Sequence, residues 1–173
     1  MVFLLPEACS SENYDSFFIH TARLSTQKDT IAPMIDIDNQ SDLNIPLATI
    51  NKISDTLTDK DIDLLITNDM MMKEINTEYR NINTSTDVLS FPFEDVPMGP
   101  LGSLVISADY VKKLAVELGH SKEDEFCLLF IHGLLHLLGY DHEVDNGEMR
   151  HKERELIEAF KLPSSLIIRT LGE

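Results

Sequence analysis

The chain has 173 residues, 43% of them hydrophobic, with 14 basic side chains against 30 acidic ones and a formal net charge of -16. That size and apolar share suit a single globular core, and no apolar run approaches the roughly 20 residues needed to cross a bilayer. The acidic balance excludes a general nucleic-acid binder, which carries a basic footprint that displaces counterions from phosphate, so any RNA contact is expected to be local.

The opening "MVFLLPEAC" lacks a positively charged start and is cut short by Pro6 and Glu7, so it reads as no targeting signal and the protein as soluble and cytoplasmic. Cys9 and Cys127 are the only cysteines. Cys127 lies in an apolar run as a small hydrophobe, and no disulfide framework is expected. Residues 1–33 hold no sustained period. They form an N-terminal extension, either genuine or upstream of a native start at Met34, and residues 34–173 form the domain.

"MIDID" from Met34 alternates like a strand, and Pro46 opens a helix carrying Leu47, Ile50, Ile53 and Leu57. "DIDLLIT" reads as a second strand. Asn68 or Asp69 caps a helix over Met70 to Tyr79, whose methionines are read as core. "TDVLSF" and "LGSLVIS" are short strands either side of a loop containing proline and glycine. Ser107 caps a helix ended by Gly119, and Ser121 with Asp124 opens another that runs through "EFCLLFIHGLLHLL" to Gly139. Apolar almost all round, this helix belongs at the centre. A last helix spans about Asn146 to Lys161. The expected fold is α+β: one small domain with a mixed sheet of about four strands covered by helices.

The stretch "HGLLHLLGYDH" sets His132, His136 and His142 at i, i+4 and i+10. On a helix the first two stand about 6 Å apart along one face, and Gly139 lets the chain turn back to bring the third to the same point. Three imidazoles with an open fourth position suit a catalytic divalent metal, one per chain, with Zn2+ preferred among ions that accept nitrogen ligands. The bland alternative is a set of hydrogen-bonded core histidines, less economical for three residues at this spacing. The spacing also matches the metzincin pattern H-E-x-x-H-x-x-G-x-x-H, except that Gly133 stands where the general-base glutamate belongs. Proteolysis by that mechanism is therefore not expected.

These eleven residues resemble the H-G-x-L-H-L-x-G-Y-D-H signature of the bacterial YbeY family, metal-dependent endoribonucleases of ribosomal RNA maturation. "INTEYRNINTSTDVLSFPF" is similar to the family segment in which an arginine precedes a T-D-V-L-S-F strand, and "GEMRHKERELI" to its acidic last helix. The resemblance covers Met34 to about Glu158. It implies a small mixed sheet covered by helices, with the metal at the end of the central buried helix.

Carried over, the resemblance makes His132, His136 and His142 the metal ligands, His132 also catalytic, and Arg80 the catalytic arginine of the cleft. Without it, Arg80 would read as a helix-end arginine paired with a local carboxylate. Asp141 either orients a ligand imidazole or caps the turn after Gly139. Thr86 and Asp87 shape the cleft or a strand-start turn; Ser85 carries less. Ser103 departs from the family's usual aspartate in G-D-I-x-I-S, which leaves the contacts of that carboxylate open.

The resulting expectation is a single-strand-specific endoribonuclease of 16S ribosomal RNA 3′-end maturation and ribosome quality control. Its partners would be ribosomal RNA and a ribosomal subunit or protein, with no DNA and no membrane. The alternatives are a non-catalytic ribosome-assembly factor whose metal holds the fold, favoured by the acidic surface, and, more weakly, a metalloprotease.

Overall fold

The computed structural model describes residues 33–94, 96, 97 and 99–164. Cys9 and the expected extension up to residue 32 lie outside the described residues. The elements are β1 (Ile35–Asn39), α1 (Leu47–Leu57), β2 (Ile62–Thr67), α2 (Asp69–Arg80), β3 (Val88–Pro92), β4 (Gly102–Ser107), α3 (Ala108–Leu118), α4 (Lys122–Leu137) and α5 (Glu148–Phe160).

The four strands form one sheet in the order β1-β2-β4-β3. β1, β2 and β4 are parallel, with Ile35 opposite Ile62 and Ile62 opposite Gly102, and β3 runs antiparallel to β4 with Leu89 opposite Val105. The outer strand β1 keeps its alternating pattern of burial, whereas β2 and β4 are buried almost throughout and read as near-continuous apolar runs.

That double burial separates two cores. Ile62, Leu64 and Ile66 of β2 with Leu104 and Ile106 of β4 pack with Ile50 and Ile53 of α1 and with the length of α4. Leu65, Leu89, Phe91 and Val105 instead meet Met72 and Ile75 of α2. Every residue of α4 from Glu125 to Leu137 is buried, which accounts for a helix without a polar face. Burying each large aliphatic or aromatic side chain contributes about 1.5–3 kcal/mol, so α4 anchors the fold.

The caps fall where the sequence placed them. Asn68, Ser107 and Ser121 accept hydrogen bonds from the backbone N–H of Met71, Tyr110 and Asp124, at 2.9, 3.2 and 3.0 Å. α2 extends one residue further than expected at each end, so Arg80 is its last helical residue, and Asn81 stops it in the left-handed region at φ 57°. α5 starts at Glu148, two residues late, because the Asp145 carboxylate accepts from the N–H groups of Gly147 and Met149.

Candidate metal centre

The C-terminal end of α4 carries the site. His132 and His136 lie one turn apart, and Gly139 follows the helix at φ 88°, in the left-handed region that favours glycine. The N–H of Tyr140 donates to the Leu135 carbonyl and that of Gly139 to His136, at 3.0 Å each. This paired closure reverses the chain within three residues. Asp141 then fixes the loop: its carboxylate accepts from Glu143 N–H at 3.0 Å and its carbonyl from Asp145 N–H at 2.9 Å.

The turn carries His142 back to the helix. Ring centroids are 4.9 Å apart for His132 and His136, 5.5 Å for His132 and His142, and 5.4 Å for His136 and His142. One ring nitrogen from each falls within 4.8 Å of the others.

His136 supplies the observation that tests the fit. Its side chain is buried and neither ring nitrogen makes a hydrogen bond of good geometry, although the Tyr140 backbone acts on the ring. Two such atoms in the interior are costly unless a ligand uses one of them. Burial first, then the neighbouring His132 and His142, push its pKa down to about 3. His136 is therefore neutral at physiological pH, the form that coordinates a metal. The cluster is able to hold a divalent cation.

Gly133 explains the departure from the metzincin pattern. A Cβ there would stand 2.9 Å from Leu104 Cδ2, 3.0 Å from Val88 Cγ2 and 3.3 Å from Ser90 Oγ. The position faces the sheet rather than the imidazoles, and α4 lies too close to β3 and β4 for a longer side chain. A general-base glutamate has no room in this packing.

The remaining sequence candidates divide. Arg80 is half-buried at the end of α2; burial pushes its pKa down, and the nearby Glu143 carboxylate opposes this. Because Glu143 follows His142, the guanidinium lies within electrostatic reach of the third histidine's loop. Asp141 caps that loop, and among the described residues no hydrogen bond joins it to a histidine ring. Asp87 accepts from Val88 N–H at 2.8 Å and from Thr86 Oγ1 at 3.2 Å, a strand-start turn. The Ser85 carbonyl accepts from Tyr110 Oη at 3.4 Å. Ser103 is fully buried and donates to Asp63 Oδ2 at 3.3 Å, so a carboxylate on the adjoining strand β2 meets the position where the family pattern has its aspartate. Cys127 is buried, its thiol pushed up to about 12 by burial and then by Asp124 and Glu123, in keeping with an inert core residue.

Glu153 was not singled out from the sequence. It lies on α5 and its Oε1 accepts from His132 Nδ1 at 2.5 Å, with both side chains buried. The signal was its spacing: Met149, Glu153, Leu156 and Ile157 share the buried stripe of α5, and a carboxylate on such a stripe calls for a partner.

The profile described as "Endoribonuclease YbeY" matches residues 27–161. The chain belongs to the YbeY family. The YbeY relative from Nautilia profundicola is 59% identical over 136 residues, covering 79% of this chain and 98% of its own length. Those from Sulfurimonas denitrificans and Helicobacter pylori J99 are each 54% identical, over 80% and 79% of this chain and 100% and 98% of theirs. All three carry the name endoribonuclease YbeY. The solution structure of TM1509 from Thermotoga maritima superimposes with a TM-score of 0.52 at 27% identity, covering 73% of this chain and 89% of that one. The YbeY signature coincides with the three converging histidines, so the family match and the geometry meet on the same residues. Among the described residues no helix is long and apolar enough to cross a membrane.

Proposed function

We propose that the protein is a metal-dependent endoribonuclease acting in ribosomal RNA maturation, with residues 34–173 as its catalytic domain. The observation that carries this reading is the three-histidine cluster on the YbeY signature, with His132 and His136 buried and His142 partly exposed. His132, His136 and His142 would hold one divalent cation, for which Zn2+ is the preferred candidate because the ligand set is all imidazole. The ion, when bound, supplies Lewis acidity toward a phosphoryl oxygen.

The chain's own residues do the rest. His132 and His136 are fixed on a rigid helix, and His142 on a loop pinned by Asp141, so the cluster is held before substrate arrives. Arg80 presents a planar fork suited to two phosphate oxygens, with a permanent positive charge to offset charge that develops at phosphorus. The substrate is single-stranded RNA, whose backbone is accessible, at the 3′ end of 16S ribosomal RNA and in defective ribosomes. The partners are a ribosomal subunit or ribosomal protein, and the compartment is the cytoplasm.

One observation favours a second reading, a ribosome-assembly factor that binds without cutting. A net charge of -16 suits a basic ribosomal protein better than bare RNA. A metzincin-like protease is disfavoured by the packing of Gly133 against the sheet.

The deciding experiment incubates the purified chain, its metal content measured, with single-stranded and duplex ribosomal RNA fragments, alongside His136→Ala. Cutting of the single strand that needs metal and vanishes in the folded variant is the expected result. Bound metal without cutting, even with ribosomal subunits added, would overturn the nuclease reading in favour of the assembly factor.

A further inference from the structure

Glu153 is 1% exposed, among Met149, Leu156 and Ile157 on the inner side of α5. An ionised carboxylate in such surroundings costs several kcal/mol unless it is paired. Its partner is His132, the first histidine of the cluster, at 2.5 Å. The same helix governs the third histidine. Asp145 caps α5 through the N–H groups of Gly147 and Met149 at 2.7 and 2.8 Å, and the Asp145 N–H is itself held by the Asp141 carbonyl. α5 thus grips the cluster at two points, by a carboxylate on His132 and by the loop that carries His142.

A neutral imidazole has one donor and one acceptor nitrogen, and a partner on either decides which is which. A carboxylate can only accept. Contact with Glu153 therefore commits Nδ1 of His132 as the N–H donor and leaves Nε2 with the lone pair.

We propose that Glu153 is a positioning residue of the metal centre. It sets the tautomer and ring angle of His132 before the ion arrives, and its negative charge strengthens attraction for a cation. This inference rests on the reading of the three histidines as ligands and not on the identity of the substrate.

The test uses the metal-free full chain, with Zn2+ affinity read by competition with a chromophoric chelator and the His132 tautomer read from nitrogen–proton correlation spectra. Glu153→Gln keeps the volume and an accepting oxygen but removes the charge; Glu153→Ala removes both. In the wild type His132 is expected to carry its proton on Nδ1. Glu153→Gln should retain that tautomer and bind Zn2+ several-fold more weakly, and Glu153→Ala should lose about 10–100-fold with mixed tautomers. A merely structural ion pair would change thermal stability and leave the Zn2+ affinity alone.

Wild-type affinity in Glu153→Gln, the variant built to stay folded, or a wild-type proton on Nε2, would overturn the inference. No Zn2+ uptake by the wild-type chain would sink the metal-centre reading itself, which separates the two failures.

Discussion

The hydroxyl of Ser90 on β3 donates to the carbonyl of Gly133 in α4 across 3.0 Å, with both residues buried. This bond joins the antiparallel outer strand to the helix that carries two of the three histidines, one residue after the first of them. With no Cβ at 133, α4 settles against Leu104 and Val88, and the bond holds it there. The height of α4 on the sheet, and so the placement of His132, depends on the pair.

Ser90→Ala removes one neutral buried hydrogen bond without creating a large void. It should cost about 1 kcal/mol of stability. Urea unfolding of the metal-free chain checks this, and a change below about 0.3 kcal/mol would mean that the bond does not help to seat the helix.

Gly133→Glu restores the metzincin motif in the sequence but not in space. The new carboxylate would be driven between Leu104 and Val88 rather than toward the histidines. The expected outcome is destabilisation by about 3 kcal/mol or more, with no gain of peptide hydrolysis. A folded variant that cleaves a peptide in the presence of zinc would contradict this account of the packing.

Acid should destabilise the metal-free protein through His136. Its pKa is about 3 when folded against 6.5 for an ordinary histidine, so between those values the unfolded chain binds a proton that the folded one refuses. Stability from this group is complete above pH 6.5 and lost as pH falls toward 3. From pH 7 to pH 5 the loss should be about 2 kcal/mol, by linkage. Comparing unfolding of the wild type and His136→Phe at the two pH values isolates it: the phenylalanine variant should show the smaller loss.

Arg80→Ala should reduce cleavage of single-stranded RNA by about 10²–10³-fold, the size expected for losing a charge-stabilising donor. Arg80→Lys should recover only part of this, because an ammonium cannot span two phosphate oxygens. Zn2+ affinity should be unchanged in both. Cleavage at the wild-type rate in Arg80→Ala would return Arg80 to the role of a helix-end cation.

The sequence by itself determined most of the local structure. The alternation of β1, the caps at Asn68, Ser107 and Ser121, and the glycine stop after α4 are encoded within a few residues of where they act, so periodicity and turn chemistry make them legible. The histidine set was legible for the same reason. His132 and His136 share a face by helical spacing, and Gly139 permits the reversal that returns His142, all within eleven residues.

Contacts between distant segments were decided only by the tertiary structure. The sequence left Asp141 between orienting a histidine and capping a turn; the fold makes it the cap and brings the orienting carboxylate from Glu153, 21 residues beyond His132. It marked Ser103 as a departure from the family pattern, and strand register then set Asp63 beside it from 40 residues away. Gly133 read as a missing general base until Leu104, Val88 and Ser90 closed over it. Each outcome depends on which faces of a helix and a sheet come together, a property of packing among elements far apart in the chain that local periodicity does not encode.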